Sequence, residues 1–534
     1  MSSLSRVRTY WRFAVGLREF LRQPLTLEQS RQVIEQRLAH REQNFLSIVA
    51  RAVYENEHSP YLKLLNAAGC RFGDIENMVK TDGIERTLMR LREEGVYISI
   101  EEFKGKADVV RGNLRFQVKE TEFDNPFLLR QFEGSTGGSR GAGSRTFFDF
   151  DHIAYDQAVY QMCLLDAHGA LDKPVVLWRP VAPGGGPRKV LEYAKMGKIP
   201  SRWFSPLQTA DVRPSLRSRM ATNYIVHMSR LCGAAIPAPE YVALDDAVQV
   251  ARSIGSLVSA SGACWVNTGV SQAVRICQAA RENSVDTGGA VFLAGGEPVT
   301  EIKRREIEAA GASVCPRYVF VEAGYAGLGC LHNDTPDDVH LLRDSLALIQ
   351  HRREVPHSGV SVDAFLFTTL CATAPKILLN VETGDYGTLE RRSCGCYFDR
   401  MGFGDHISSI RSFEKLTSHG MTFLGSNVVS LVEEILPARF GGTSIDYQMV
   451  EEEDDGGRTH LYILVSPDVG AVDEGEIVDT VLARLSEGED SQRMMTQIWL
   501  QSKTIRVKRT RPVATSRGKL LPLHIQRARP GSDA

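Results

Sequence analysis

A run of small residues from Glu133 to Thr146 (EGSTGGSRGAGSRT) has the composition of a loop that binds phosphate. Its glycines leave backbone N–H groups free to surround phosphate oxygens, and its hydroxyl side chains add further donors. The run lacks the Gly-Lys-Ser/Thr ending of the P-loop, so it is a different motif. Taken alone, it is equally typical of a plain surface loop.

Three later segments carry residues suited to the other parts of a nucleotide. The glycines of AGGEP, Ala294 to Pro298, follow a strand-like run and would let a ligand approach the carboxyl edge of a sheet, although a tight turn explains them equally well. Tyr318 could stack on a base, and Glu322 could hold Mg²⁺ beside phosphates. Asp385 is predicted in a turn after a strand, where its carboxylate would accept both hydroxyls of a ribose.

Hydrophobic periodicity predicts the elements that position these residues. Apolar residues at three-to-four spacing predict helices over 26–100, with Thr26 near a capped start, and short β-like runs (GVYISI, LRFQVKE) follow. Between 170 and 320, apolar strands alternate with helical runs, the pattern of an α/β sheet. The last 120 or so residues predict a small α+β unit with a hairpin that turns at Asp454 to Gly457.

The composition is that of a globular protein and excludes several other classes. The 534 residues include 63 Lys and Arg against 65 Asp and Glu, and 43% of the residues are hydrophobic. These values exclude a disordered chain, a collagen-like fibre and a disulfide miniprotein, and the near-neutral charge argues against a nucleic-acid partner. No apolar run is long enough for a secretory signal or a membrane span, so we expect a cytoplasmic protein with mostly buried, reduced cysteines.

The order of the motifs resembles that of acyl-adenylate-forming enzymes. In sequence they are the Gly/Ser/Thr loop, GGEP, the tyrosine-to-glutamate segment, TGD, an arginine before a hinge, and a Gly-Lys pair near the C-terminus. Within that superfamily the chain is most similar to phenylacetate–CoA ligase-type enzymes, above all in FLFTTLCATAPKILLNVETGDYG. The resemblance implies a large α/β domain (57–410) and a small α+β lid (411–534). A helical extension (1–56) precedes them and could brace the fold, contact a partner or support a homodimer.

The resemblance also implies a role for each motif. The β- and γ-phosphates of ATP would lie against five loop residues: Ser135, Thr136, Gly137, Gly138 and Ser139. The adenine would lie in a pocket made by four others, of which the last stacks on the base: Gly295, Gly296, Glu297 and Tyr318. Glu322 would hold Mg²⁺, Asp385 would bind the ribose, and Arg411 would precede the hinge to the lid.

Lys519, in TSRGKLLP, would be the lid lysine that reaches the α-phosphate and the carboxylate of the acid. Its positive charge would stabilise the charge that develops as the carboxylate attacks phosphorus. The alternative is that Lys519 is one more cation in a basic tail. Two differences from the family's usual pattern, Arg140 in the loop and Phe413–Glu414 at the hinge, bear on transfer to a thiol more than on adenylation.

A Cys-x-Cys pair, Cys394 and Cys396, follows the TGD segment, and Cys330 and His340 precede it. Some members of the resembled family hold a structural zinc with residues at these places, and three thiolates with one imidazole suit tetrahedral Zn²⁺. His332 is a rival for the fourth ligand. Buried free thiols are the alternative to a metal site.

The leading hypothesis is an ATP-dependent acid–CoA ligase that adenylates a small, aromatic carboxylic acid and transfers the acyl group to CoA, releasing AMP and pyrophosphate. Trp265 and Tyr325 are expected near the acid. A second hypothesis keeps the adenylate but passes the acyl group to a carrier protein, a protein cysteine, an amine or another small nucleophile. A third is a non-catalytic relative that binds a nucleotide.

Overall fold

One large mixed sheet with helices on both faces organises the part of the chain that the structure describes. The structure is a computed structural model, and it describes residues 3–135, 145–182, 184–207, 216–330, 332–354, 361–412, 415–418, 421–424, 431–486, 490–513 and 523–525. The sheet has twelve strands in the order β13-β14-β15-β16-β12-β11-β10-β9-β8-β5-β6-β7. The fold class is therefore α/β, as the sequence predicts.

The strands of this chain fall into the twelve-stranded sheet, a four-stranded sheet and three two-stranded ribbons. Their bounds are β1 (Val109–Arg111), β2 (Leu114–Phe116), β3 (Phe132–Ser135), β4 (Arg145–Phe148), β5 (Val175–Trp178), β6 (Arg202–Ser205), β7 (Glu240–Tyr241), β8 (Cys264–Gly269), β9 (Ala290–Gly295), β10 (Ser313–Phe320), β11 (Gly324–Leu328), β12 (Val339–Leu341), β13 (Leu346–Glu354), β14 (Ser361–Thr369), β15 (Val381–Arg391), β16 (Asp405–Ser412), β17 (Lys415–Ser418), β18 (Met421–Leu424), β19 (Tyr447–Glu453), β20 (Thr459–Val465), β21 (Ile505–Arg509) and β22 (Leu523–Ile525).

The helices pack against both faces of the large sheet and around the C-terminal unit. Their bounds are α1 (Ser3–Arg22), α2 (Leu27–Ala39), α3 (Arg41–Ile48), α4 (Pro60–Ala67), α5 (Phe72–Glu93), α6 (Ile100–Phe103), α7 (Phe150–Ile153), α8 (Val159–Ala167), α9 (Gly186–Lys195), α10 (Leu216–Leu231), α11 (Ala247–Ser261), α12 (Val270–Glu282), α13 (Glu301–Glu308), α14 (Tyr397–Arg400), α15 (Leu436–Phe440), α16 (Glu474–Ser486) and α17 (Asp490–Ser502). Among the described helices, none is both long and apolar enough to cross a membrane.

Strands β5 to β10 form the parallel half of the sheet. Parallel neighbours need crossover connections, and α11, α12 and α13 supply them between β7 and β10. Every residue of β5 and β8 is buried, because helices cover both faces of this half. This explains why PVVLW reads as a continuous apolar run.

The N-terminal helices are fixed to the body of the protein by both polar and apolar contacts. Thr26 caps α2 as predicted: its hydroxyl accepts from the Gln29 amide at 3.2 Å, and the Gln29 side chain accepts from the Thr26 amide at 2.9 Å. Arg37, whose side chain is 13% exposed, donates to Asp156 at 2.8 Å. Leu17, Phe20 and Ile34 join the core beneath α8 and α9. The helices therefore form part of the folded core.

One predicted strand is wrong. GVYISI makes a single bridge, between Ile98 and Val381, and the chain then enters α6. Ser99 starts this helix because its hydroxyl accepts from the amide of Glu102 at 3.3 Å. The local capping sequence overrides the β propensity of the run.

The C-terminal unit is built on a four-stranded sheet in the order β21-β20-β19-β22. Its hairpin turns at Asp454 to Gly457 as predicted, with the Asp454 amide donating to Arg458 at 2.9 Å and a φ of 72° at Gly457. The Gln278 side chain of α12 donates to the carbonyl of Gly456 at 2.8 Å, so the hairpin turn rests on the large domain. Met449 and Leu461 of this unit belong to the same buried cluster as residues of the large sheet.

Candidate functional site

The end of β9 is built for close approach of another backbone. A side chain at Gly295 would bring its Cβ within 2.7 Å of the Arg317 carbonyl oxygen, so only glycine fits there. Gly296 has a φ of 92°, a conformation that glycine adopts without strain. These two glycines lie at the carboxyl edge of the parallel strands, where open α/β sheets bind their ligands.

Tyr318 and Asp385 are in direct contact, although they lie 67 positions apart in the sequence. The Tyr318 hydroxyl, on β10, donates to Asp385 Oδ2 at 2.8 Å. Burial, reinforced by the Asp385 charge, raises the pKa of Tyr318 well above its ordinary value. The structure thus brings together the residues that the sequence assigned to the base and the ribose.

The predicted turn at Asp385 is wrong. The residue lies inside β15, opposite Ser412 of β16, and a register shift follows between Tyr386 and Thr388. Gly384, with a φ of 80°, lets the strand pass this point without breaking. The TGD sequence reads as a turn because it contains residues typical of turns, but antiparallel pairing with β16 keeps it extended.

Arg411 lies on β16, directly opposite Tyr386 and beside Asp385 in register. Its guanidinium donates to Asp337 Oδ2 at 2.9 Å. Asp337 also accepts from the amides of Ser409 and Ile410, at 3.0 and 3.1 Å, so this carboxylate holds the end of β16 in place. Sequence reasoning missed Asp337, which stands in a stretch without regular structure.

Glu322 lies in the turn after β10 and is paired with a lysine from the N-terminal part of the chain. Lys104 Nζ is 3.3 Å from Glu322 Oε1, and it is 3.8 Å from Glu120 Oε1. Both side chains of the Lys104–Glu322 pair are mostly buried, at 13% and 15% exposure. Nothing in the sequence around Lys104 indicates this partnership, because it depends on contacts across the fold.

The carboxylate of Glu297 points into the protein. It accepts from the Ser271 amide at 2.8 Å and from the Ser271 hydroxyl at 2.7 Å, at the start of α12. Lys303 Nζ is 3.2 Å from Glu297 Oε2, the oxygen that also accepts from the Ser271 hydroxyl, and 3.5 Å from Glu453 Oε2 of the C-terminal hairpin. Burial disfavours the ammonium form, but Glu297 and Glu453 more than offset this, so the pKa of Lys303 is raised.

Several predicted residues lie outside the part of the chain that the structure describes. They are Thr136, Gly137, Gly138, Ser139, Arg140, Phe413, Glu414 and Lys519. Ser135 ends β3, opposite Arg145 of β4, so the two ends of the Gly/Ser loop are held side by side.

Cys330, His340, Cys394 and Cys396 form a cluster whose ligand atoms all lie within 4.8 Å of one another. His340 Nε2 is 3.1 Å from Cys396 Sγ and 3.6 Å from Cys394 Sγ. Donors about 3.5–4 Å apart are what a tetrahedral zinc requires, given Zn–S and Zn–N bonds of about 2.3 and 2.0 Å. The four residues named from the sequence therefore fit this metal in both type and spacing.

Neighbouring groups orient the cluster for metal binding. His340 Nδ1 is 2.6 Å from the Phe403 carbonyl, which can only accept, so Nε2 is left to bind a metal. A hydrogen bond from the Cys330 thiol is the largest of the effects that lower the pKa of Cys396 to about 3. The rival ligand His332 faces the Cys394 carbonyl, 2.8 Å from its Nδ1, and is not part of the cluster.

No protein-family model and no curated protein matches this sequence. Among solved structures, a 2-hydroxyisobutyryl-CoA ligase in complex with 2-HIB-AMP and CoA is similar, with a TM-score of 0.51 and 14% identity over 94% of this chain and 91% of that one. The amide bond synthetase McbA from Marinactinospora thermotolerans gives a TM-score of 0.41 and 10% identity, covering 95% of this chain and 97% of that one. At these identities a likeness concerns the fold alone. The chain accordingly shares its fold, an α/β architecture followed by a small C-terminal unit, with this CoA ligase.

Proposed function

We propose that this protein is an adenylate-forming ligase of the phenylacetate–CoA ligase type, which activates a small, aromatic carboxylic acid with ATP. The observation that carries the proposal is the hydrogen bond between Tyr318 and Asp385 at the sheet edge that also holds Gly295 and Gly296. The four-residue cysteine and histidine cluster supports the assignment to this type.

In the proposed reaction, the acid's carboxylate attacks the α-phosphate of ATP and releases pyrophosphate, giving an acyl-adenylate. Tyr318 would stack on the adenine and orient Asp385, which would accept the ribose hydroxyls. Mg²⁺ would supply positive charge beside the phosphates, and the Glu322 carboxylate would hold it. Residues 57–410 would carry these groups, and residues 411–534 would bring Lys519 to the α-phosphate.

The proposed acyl acceptor is the thiol of CoA. Product analysis with CoA present and absent tests it: a CoA ligase forms a thioester only when CoA is added. An amide or an enzyme-bound acyl group formed without CoA would favour the second hypothesis.

The adenylation step is tested by ATP–pyrophosphate exchange over a panel of aryl, fatty and amino acids. Exchange that depends on one class of acid supports the proposal. A complete lack of exchange with every acid would contradict the proposed adenylating activity and leave the non-catalytic nucleotide-binding relative as the alternative.

Asp385→Ala is expected to raise the KM for ATP about 10- to 100-fold, because it removes a charged acceptor for hydroxyls, worth about 1.5–3 kcal/mol. The measurement is ATP-dependent pyrophosphate exchange at saturating acid. Asp363→Ala is the matched control, since this aspartate lies on the neighbouring strand β14 with a 56% exposed side chain. An unchanged KM for ATP in Asp385→Ala would contradict the ribose role.

We also propose that the cysteine and histidine cluster holds a structural zinc. Purified protein should contain about one zinc per chain, and Cys396→Ser should lose most of it, because the site would keep only three ligands. Cys70→Ser, at a half-buried cysteine outside the cluster, is the control. Less than about a tenth of a zinc per chain in wild-type protein would rule the site out.

A further inference from the structure

Four cationic side chains gather beneath the carboxyl edge of the parallel strands, on the face of the sheet covered by α8 and α9. We refer to them as the cationic cluster: Arg179, Arg188, Lys189 and Arg317. Arg179 directly follows β5, Arg188 and Lys189 lie on α9, and Arg317 lies on β10. Arg317 is adjacent to Tyr318, and successive residues of a strand face opposite sides of the sheet. The cluster therefore lies at the same edge as the proposed nucleotide site, but across the sheet from Tyr318.

Lys189 is held by one carboxylate and one phenol. Its Nζ is 2.5 Å from Glu192 Oε2 and 2.7 Å from the Tyr325 hydroxyl. The Tyr325 hydroxyl in turn donates to Glu192 Oε1 at 2.8 Å. Both carboxylate oxygens of Glu192 thus accept hydrogen bonds from these two partners, and the side chain is fully buried.

Arg317 and Arg179 share a neutral acceptor. Their guanidinium groups lie 3.2 and 3.1 Å from the same oxygen, Oδ1 of Asn267. Arg317 also donates to the Leu293 carbonyl at 2.8 Å, and Arg179 donates to the Thr268 carbonyl. Neither arginine forms a salt bridge with a carboxylate of the described residues.

The Arg188 side chain makes no hydrogen bond to the described residues. Its guanidinium lies over the Phe148 ring, 4.8 Å from the centroid, and its Nε is buried without a partner. Arg317 Nε and Gln161 Nε2 are two further buried donors with no acceptor. Unpaired donors of this kind are costly in a protein interior and are rare in native structures.

The charges of the cluster do not balance. Four basic side chains face a single carboxylate, Glu192, among the described residues. Burial lowers the pKa of Lys189 to about 7 and that of Arg179 to about 9. The charge of Arg317 lowers both pKa values further. A buried group of positive charges with spare donors is complementary to an anion.

We propose that the cationic cluster binds a second anionic group on the carboxylic acid, so that the substrate is a small acid with two anionic groups, such as a dicarboxylate. This inference rests on the proposed adenylating activity. One carboxylate of the substrate reaches the α-phosphate at the sheet edge, and the other enters between the sheet and α9. Arginine is suited to this role, because its planar fork of donors matches a carboxylate.

The test is pyrophosphate exchange with matched pairs of acids that differ by one carboxylate, benzoate against isophthalate and butanoate against succinate. The diacid of at least one pair is expected to be used at least about tenfold better in kcat/KM, the effect of roughly one charge-assisted hydrogen bond. Binding of the same four acids without ATP, by isothermal titration calorimetry, should show the same order.

Arg188→Met should reduce the preference for the diacid, and Arg188→Lys, which keeps the charge, should retain part of it. Arg230→Met, on the exposed side of α10, is the matched control and should keep the wild-type ratio. If Arg188→Met does not fold, as judged by circular dichroism, the calorimetry on wild-type protein tests whether the diacid binds better than the monoacid.

The outcomes separate the two proposals. Exchange with the monoacids that equals or exceeds exchange with the diacids overturns the inference and leaves the adenylating activity intact. A lack of exchange with all acids overturns the adenylating activity, and the calorimetry then shows whether the diacid binds. If the diacid does not bind better than the monoacid, the cluster is a structural network only.

Discussion

Lys519→Ala is expected to lower the rate of acid-dependent pyrophosphate exchange about 10²- to 10³-fold, because one donor aimed at developing charge contributes about 3–4 kcal/mol to the transition state. The charge would arise on the α-phosphate as the carboxylate oxygen attacks, and an ammonium group there would be a charged donor to it. The measurement is exchange at saturating ATP and acid, so that the effect falls on kcat.

Two controls make this result specific. Arg511→Ala removes a cation from the same basic tail, with a side chain 77% exposed, and should leave the exchange rate unchanged. A chemically prepared acyl-adenylate should restore acyl transfer in Lys519→Ala, since the step that needs the lysine has been bypassed. Wild-type exchange in Lys519→Ala would show that this residue is only one more cation in the tail.

Lys303→Met is expected to destabilise the protein by about 3–5 kcal/mol, the usual cost of leaving a buried charge unpaired. The side chain of Lys303 is 3% exposed and lies between Glu297 of the large domain and Glu453 of the C-terminal hairpin. Because its pKa is raised, the stabilisation is complete at neutral pH and is lost only as the pH rises above the ordinary lysine range. Urea denaturation at pH 7 measures the loss.

The control for Lys303 lies on the same helix. Arg304→Met breaks ion pairs whose partners are about half exposed, and pairs of this kind contribute at most about 1 kcal/mol. Adding Glu297→Gln to Lys303→Met should recover part of the stability, because a neutral amide no longer needs the ammonium group. A loss of less than about 1 kcal/mol in Lys303→Met would mean that water or another cation compensates the two carboxylates.

Local sequence patterns predict much of this fold. The alternation of apolar strands and amphipathic helices between 170 and 320 appears as β5 to β10 with their crossover helices. Thr26 and the turn at Asp454 to Gly457 are also confirmed, since caps and tight turns depend on neighbouring residues alone. The predictions of a strand at GVYISI and of a turn at Asp385 are wrong. The cap at Ser99 decides the conformation of the first segment, and pairing with the distant strand β16 decides that of the second.

The candidate site is predictable in its residue types but not in its pairings. The sequence names Tyr318 and Asp385, and also the four members of the cysteine and histidine cluster, and the structure brings each set together. It gives no sign of Lys104 beside Glu322, of Asp337 beneath Arg411, or of the cationic cluster. These partners are single charged residues in ordinary surroundings, and only the packing of helices against the sheet reveals them.

The contacts of the N-terminal helices have a consequence for the synthesis of this protein. Ile98 pairs with Val381, and the Tyr61 hydroxyl donates to the carbonyl of Ile377, 316 positions further along the chain. At about 5–20 residues per second, a ribosome needs about 15–60 s to make the partner after the first residue has emerged. During that time the apolar residues of α3 to α5 that pack on the later strands lack those strands as a covering surface. A nascent chain of this protein is therefore a natural client for chaperones, and an expressed fragment that ends before the second half of the sheet would keep those faces exposed.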